Sequence, residues 1–210
     1  MIRILVADDH AVVREGVKQI LAEVKDMVVK DEAENGANTL EKVMQNDYDL
    51  VLLDISMPGR SGLEILEDIK NRRPRLPVLI LSMHPEEQYA IRALRAGASG
   101  YLTKASAPQE LIGAIRKVAG GGKYVTASLA EKLADELEID TEKLPHERLS
   151  NREHQVMLML AEGKSVSDIA DELCLSVKTI STYRTRIMAK MGMKKNAELT
   201  LYAVRNKLIN

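Results

Sequence analysis

The 210-residue chain contains no tryptophan and no phenylalanine, and tyrosine, present six times, is all it has of the large aromatic residues. Its cores therefore have to be packed from Leu, Ile and Val with help from ten methionines, whose unbranched side chains fill irregular gaps. A single cysteine, Cys174, excludes an intramolecular disulfide. No apolar run approaches the roughly 20 residues needed to cross a bilayer, and nothing near the N-terminus has the make-up of a secretory signal. A soluble protein of a reducing compartment, the cytoplasm, is expected, with no membrane partner.

An excess of one charge is also missing, since 30 Lys and Arg meet 31 Asp and Glu. The near-neutral total conceals a gradient: residues 1–122 carry a net −2, residues 123–148 carry −3, and residues 149–210 carry +4, which together make the chain's −1. Only the C-terminal piece is suited to a polyanion. The length fits two small domains better than one.

What the first 122 residues do contain is alternation. The runs "IRILVA" (2–7), "MVVKDEA" (27–33), "DLVLLD" (49–54), "LPVLILS" (76–82) and "GYLTK" (100–104) read as strands. Segments between them, such as "HAVVREGVKQILAEV" and "SGLEILEDIKNR", repeat apolar residues at helical spacing. This order predicts right-handed βαβ crossovers and a five-stranded, doubly wound parallel α/β domain covered on both faces. Gly120, Gly121 and Gly122 stop the last helix of that domain. Residues 123–148, with an amphipathic stretch at about 128–138 and Pro145, are expected to be a linker containing a short helix. From 149 onward every signal is helical. "SNRE" (150–153) and Ser165 with Asp168 have the form of capping boxes. Four short helices are expected, with a tight turn at Leu173–Ser176 between the second and third.

In a doubly wound sheet, ligands gather at the carboxyl ends of the strands where the strand order reverses. Those ends carry Asp8 and Asp9, Asp54, Ser82, and the stretch from Tyr101 to Lys104. Three adjacent carboxylates repel one another unless a cation shares their site. Mg²⁺ suits an all-oxygen set that must also receive phosphate, with Lys104 as the second positive charge. An aspartate so placed can accept a phosphoryl group as an acyl phosphate. Asp54, after the most apolar strand, is the expected acceptor; Asp8 and Asp9 hold the metal; Lys104 and the Ser82 hydroxyl bind phosphoryl oxygens. His10 and His84 are read as solvated loop residues. A phosphatase would want an acid/base carboxylate two residues beyond the nucleophile, where this chain has Ser56; no turnover enzyme is expected, beyond slow self-phosphorylation and self-dephosphorylation.

The motifs "VADDH" (6–10), "DLVLLDISMPGRSGLE" (49–64), "LILSMH" (79–84) and "GASGYLTKASAPQEL" (97–111) resemble the receiver domains of two-component response regulators over residues 1 to about 120. The resemblance implies phosphorylation of Asp54 by a sensor histidine kinase. It also implies that Asp9 holds the Mg²⁺ directly and Asp8 through water, that the backbone carbonyl of Ser56 completes the shell, and that Ser82 and Tyr101 move together, the Tyr101 ring turning from solvent into the space that Ser82 vacates when the group arrives.

The third of the C-terminal helices would present Lys178, Ser181, Thr182 and Thr185 outward, flanked by Thr179, Tyr183, Arg184 and Arg186 and followed by Lys190, with Val177, Ile180, Ile187 and Met191 facing inward. Hydroxyls can meet base edges and cations can meet phosphates, the pattern of a helix-turn-helix in a DNA major groove. Residues 149–208 resemble the DNA-binding domain of NarL/FixJ-type (LuxR-type) regulators, although that family commonly has His where this chain has Tyr183. That likeness implies dimerisation through the last helix, here along Leu201, Val204 and Leu208, and makes Cys174 a core residue of the turn. The partners expected are double-stranded promoter DNA, a second copy of the chain, a histidine kinase and RNA polymerase. The rival expectation is a receiver that takes no phosphate, with constitutive DNA binding.

Overall fold

The computed structural model describes residues 1–127, 129–131 and 144–209. It separates into two compact units, Met1–Leu133 and Ala134–Asn210. Most of the linker helix expected at about 128–138 lies outside the described residues. No helix among the described residues is long and apolar enough to cross a membrane.

The first unit is a five-stranded parallel sheet made of β1 (Ile2–Ala7), β2 (Met27–Ala33), β3 (Leu50–Leu53), β4 (Val78–Ser82) and β5 (Gly100–Thr103), in the order β2-β1-β3-β4-β5. Between and after them run α1 (Ala11–Ala22), α2 (Gly36–Gln45), α3 (Gly62–Arg72), α4 (Glu86–Arg95) and α5 (Pro108–Ala119). The central strands are uninterrupted apolar runs because helices cover both faces: Leu5, Leu50, Val51, Leu53, Val78 and Ile80 have no exposed surface. Each such side chain contributes about 1.5–3 kcal/mol relative to exposure. The chain leaves β1 toward β2 and returns to β3 on the other side, so the reversal of strand order falls between β1 and β3. The crevice there opens between the loops that carry Asp8 and Asp54.

Local chemistry fixes those loops. Ser61 and Glu64 form a reciprocal capping box that starts α3 just beyond Asp54. Gly62 follows the cap with its N–H bonded to the Ile55 carbonyl at 2.8 Å. A Cβ at that position would stand 2.0 Å from the Asp54 carbonyl oxygen and 2.7 Å from the Ile55 Cα. Gly62 thus sets how closely α3 approaches the backbone of the candidate acceptor, a role the sequence reading did not assign.

The chain beyond α5 stays with the first unit. Tyr124 makes an isolated parallel bridge to Gly100, donating its N–H to the Ser99 carbonyl at 2.8 Å, so the otherwise free edge of β5 is covered. Thr126 donates its hydroxyl to Glu86 in the first turn of α4 and accepts the Leu129 N–H.

The second unit contains α6 (Asn151–Ala161), α7 (Val166–Glu172), α8 (Val177–Met191) and α9 (Asn196–Arg205), preceded by a 3₁₀ turn at Pro145–Arg148. The expected caps close: Ser150 with Glu153, Ser165 with Asp168, and Gly192 at φ 67° after α8. Helix α6 is buried on every side from Arg152 to Ala161 and forms the centre of the bundle.

Three expectations are corrected here. Val177 is half exposed, because as the first residue of α8 it sits beside its cap, and Met188 takes an inward position with Ile180, Ile187 and Met191. Cys174 is exposed and adopts a left-handed backbone at φ 52° to turn the chain, while its neighbour Leu173 fills the core. Leu208 is not on a free stripe of α9. That helix ends at Arg205, Lys207 reverses the backbone at φ 55°, and the Leu208 N–H returns to the Ala203 carbonyl, which buries the leucine.

Gly62→Ala is expected to lower the unfolding free energy by ~1–3 kcal/mol through overpacking against backbone. Urea denaturation followed by circular dichroism checks this, and a midpoint equal to wild type would refute the close-approach role.

Candidate functional site

The parallel ladder extends past the strands and levels the site's side chains. The Asp8 N–H bonds the Ala33 carbonyl at 3.0 Å, that of Asp54 the Ala7 carbonyl at 2.9 Å, and that of Lys104 the Ser82 carbonyl at 2.7 Å. The residues that follow β1, β3 and β5 are therefore held at one edge by backbone bonds before their side chains interact.

At that edge Lys104 Nζ lies 2.6 Å from Asp8 Oδ2 and 2.8 Å from Asp54 Oδ2, and all three side chains are almost wholly buried. The other Asp8 oxygen accepts the His10 N–H at 2.9 Å. Arg14 donates to the Asp8 carbonyl at 2.7 Å and pairs with Glu32, which fixes the turn into α1. Asp9 is more open; its Oδ1 lies 2.8 Å from His10 Nδ1 without an aligned hydrogen bond. Asp54 Oδ1 is buried and has no hydrogen-bond partner among the described residues. A buried carboxylate oxygen without a donor is costly unless a ligand meets it.

Burial raises the Asp54 pKa above the ordinary aspartate value; the ammonium of Lys104 opposes the rise and the charge of Asp8 adds to it. For Lys104, burial acts to lower the pKa, but the carboxylates of Asp54 and Asp8 outweigh it and the amine is held above its ordinary value. One ammonium is shared by two buried carboxylates, and Asp9 stands beside them.

One ligand atom each from Asp8, Asp9, His10 and Asp54 lies within 4.8 Å of the others. The set is dominated by carboxylate oxygens, which suits a hard divalent cation, and the unsatisfied Asp54 oxygen gives such an ion something to satisfy. His10 is exposed, as expected of a solvated loop residue, and the three-residue turn after β1 also brings its ring to the edge of the cluster.

The remaining residues meet around the loop after β4. Ser82 is fully buried, and its hydroxyl accepts the His84 N–H at 3.2 Å. Tyr101 is fully buried too, with its hydroxyl donating to the His84 carbonyl at 2.8 Å. The expected solvent-facing tyrosine is thus replaced here by an inward one. Ser56 Oγ and His84 Nε2 are 2.9 Å apart. His84 is half-buried and hydrogen-bonded, contrary to the expected solvated loop histidine, and its pattern of contacts has no one-dimensional signature.

On the second unit, Lys178, Ser181, Thr182, Thr185, Arg186 and Lys190 are exposed along α8, while Thr179, Tyr183 and Arg184 are half-buried. Thr182 and Thr185 donate to the carbonyls of Lys178 and Ser181, one turn back in the helix. Arg184 donates to Asn196 at the start of α9 at 2.9 Å. Lys190 lies 2.6 Å from the carboxylate of buried Glu153, the same residue that closes the α6 cap. Burial acts to raise the Glu153 pKa, but bonds from Lys190 and the Ser150 backbone hold it below the ordinary value. Lys190 thus serves the fold as well as the surface. Leu201 and Val204 are half exposed on one face of α9.

Residues 4–116 match the model of the response regulator receiver domain, and residues 147–203 match that of the bacterial regulatory proteins of the luxR family. Over its whole length the chain is 38% identical to the response regulator UvrY of Escherichia coli, covering 97% of that protein. It is also similar to the structure of RcsB from Salmonella enterica serovar Typhimurium bound to promoter rprA in the presence of phosphomimetic BeF₃⁻, at 27% identity, TM-score 0.66, and 97% and 99% coverage of the two chains. A structure of two RcsB dimers bound to two parallel DNAs matches at 27% identity and TM-score 0.60, covering 100% of this chain and 99% of that one.

Because the folded Asp54 carboxyl lies above its ordinary value, its contribution to stability is full below the unfolded pKa of about 3.9 and is lost as pH rises through the folded value. Without divalent metal, Asp54→Asn is therefore expected to melt above wild type at neutral pH, with the gap closing toward pH 4. Thermal melts in a chelator across that range test the sign; a variant less stable than wild type at pH 7 would reverse it.

Proposed function

The chain belongs to the two-component response regulators that join a receiver domain to a LuxR-family DNA-binding domain, and from that premise we propose that Asp54 is its phosphoacceptor and that phosphorylation promotes dimerisation and promoter binding. The observation that carries this reading is the Lys104 ammonium bridging two buried aspartates while one Asp54 oxygen is left without a donor. Asp54 and Asp9, with the Ser56 carbonyl, would hold Mg²⁺, and Asp8, whose oxygens already serve Lys104 and His10, would reach it through water. Bound there, the ion neutralises charge on the phosphoryl oxygens.

An Asp54 carboxylate oxygen attacks the phosphorus of a phosphohistidine on the kinase. The new O–P bond forms as the P–N bond breaks, and the imidazole leaves with the electron pair and takes up a proton. Lys104, already 2.8 Å from Asp54, turns a hydrogen to the transferred group, and the Ser82 hydroxyl supplies another. Movement of Ser82 and Tyr101 carries the change to α4, β5 and α5. The same site supports at most slow self-phosphorylation and self-dephosphorylation, because no second carboxylate stands two residues beyond Asp54 to activate water.

In the second unit α8 enters the DNA major groove. Lys178, Arg184 and Arg186 meet phosphates, and the hydroxyl-bearing residues with Tyr183 and Thr179 lie toward bases and backbone. The dimer forms through Leu201 and Val204 of α9, and RNA polymerase is a further partner. The protein works in the bacterial cytoplasm, where a histidine kinase and promoter DNA are both at hand.

With a small-molecule phosphodonor and Mg²⁺, wild type is expected to gain a phosphorylated band on a phosphate-affinity gel and to bind DNA more tightly. Asp54→Asn loses both responses. Unchanged DNA affinity and dimerisation in phosphorylated wild type would refute the switch.

A second measurement separates the cations of α8. Lys178→Ala and Arg186→Ala should each reduce the slope of log affinity against log salt by about 0.9. Lys190→Ala should mainly lower the melting temperature, by stranding Glu153. Equal salt slopes in all three variants and wild type would remove the phosphate contacts.

A further inference from the structure

One residue that the phosphoryl chemistry leaves unused touches several parts of the candidate switch. The His84 ring meets the Ser56 hydroxyl at 2.9 Å, its N–H bonds the Ser82 hydroxyl at 3.2 Å, and its carbonyl accepts the Tyr101 hydroxyl at 2.8 Å. The ring also lies 4.9 Å, centroid to centroid, from the ring of Tyr89, a buried residue of α4. The loop after β3, the end of β4, the middle of β5 and α4 therefore all meet at this histidine.

We propose that His84 is a positioning residue that couples occupancy of the Asp54 site to Tyr101 and α4 through its hydrogen bond with Ser56. The inference rests on the reading of Asp54 as phosphoacceptor with the Ser56 carbonyl beside the metal. The carbonyl and the hydroxyl of Ser56 belong to one residue, so a backbone that turns its carbonyl toward a cation also moves the hydroxyl that the imidazole holds. The imidazole passes that displacement to the His84 main chain. Both hydrogen bonds made there, to Ser82 and to Tyr101, change with it. The Ser56–His84 hydrogen bond joins the loop after β3 directly to the residue whose carbonyl holds Tyr101, which packing against Tyr89 alone would not do. His84 is not fully exposed, so water does not freely replace the Ser56 contact.

Two substitutions separate coupling from packing. His84→Phe keeps a ring against Tyr89 and loses the bond to Ser56; His84→Gln keeps a hydrogen-bonding group. The full chain is labelled with 3-fluorotyrosine, the Tyr101 resonance is assigned with Tyr101→Phe, and ¹⁹F spectra are recorded before and after Mg²⁺ and BeF₃⁻. Phosphoryl uptake from a small donor is measured on the same variants, with circular dichroism melts to confirm folding.

In wild type the Tyr101 resonance is expected to shift on addition of the mimic. In His84→Phe uptake persists while the Tyr101 shift falls to less than half, and His84→Gln restores much of it. Ser56→Ala lowers the Tyr101 shift, per phosphorylation mimic bound, as His84→Phe does, and the double variant shows no further loss of that shift, since both remove one interaction. Normal uptake with a full Tyr101 shift in His84→Phe overturns the coupling alone, as do independent, additive losses in the two single variants. A wild-type chain that takes up no phosphoryl group overturns the Asp54 reading and the coupling with it.

Discussion

The ammonium of Lys104 is the constraint on which the first unit's chemistry depends. It lies within 2.8 Å of two buried carboxylates from different strands, with a third carboxylate on the neighbouring residue. Without that charge, two buried carboxylates would face each other uncompensated at the end of an apolar sheet. One ammonium is still too little to balance the set, and the raised pKa of Asp54 and its oxygen without a donor express the remaining imbalance. The site is thereby held in the arrangement a divalent cation and a phosphoryl group can complete. The close fit of Gly62 against the Asp54 carbonyl and the capping box behind it keep Asp54 from relaxing away.

The second unit depends on a comparable economy of charge. Glu153 closes the first turn of α6 and at the same time holds Lys190, the penultimate residue of α8. Arg184 ties α8 to the start of α9. These contacts fix the helix whose exposed face carries Lys178 and Arg186, so the placing of those cations is set by ion pairs and caps as much as by the apolar core.

Much of this was legible from residue order. Uninterrupted apolar runs located the central strands to within two residues, because a strand covered on both faces leaves no place for polar side chains. Capping boxes located α6 and α7, because the Ser and acidic pairs answer backbone N–H groups that every helix start leaves open. Asp8, Asp9, Asp54, Ser82 and Lys104 could be assembled because the strand-end rule converts distant positions into one edge. The misreadings have a common origin in local backbone reversal and third-party contacts. Periodicity carried Leu208 along an ideal helix, but Lys207 leaves the right-handed region and turns the leucine inward. The likeness to the LuxR-type domain made Cys174 a core residue of the turn, yet it has a left-handed backbone and is exposed.

The sequence by itself determined the two-unit plan, the doubly wound sheet, the capped helices and the residues at the strand ends. Each of these follows from periodicity, charge and capping chemistry, which act over a few residues. Only the tertiary structure decided that Tyr101 lies inward, that Lys190 is tied to Glu153, and that His84 meets Ser56, Ser82 and Tyr101 at once. Those facts depend on hydrogen bonds between segments as many as 37 residues apart, and no local pattern encodes which of two distant side chains will face the other.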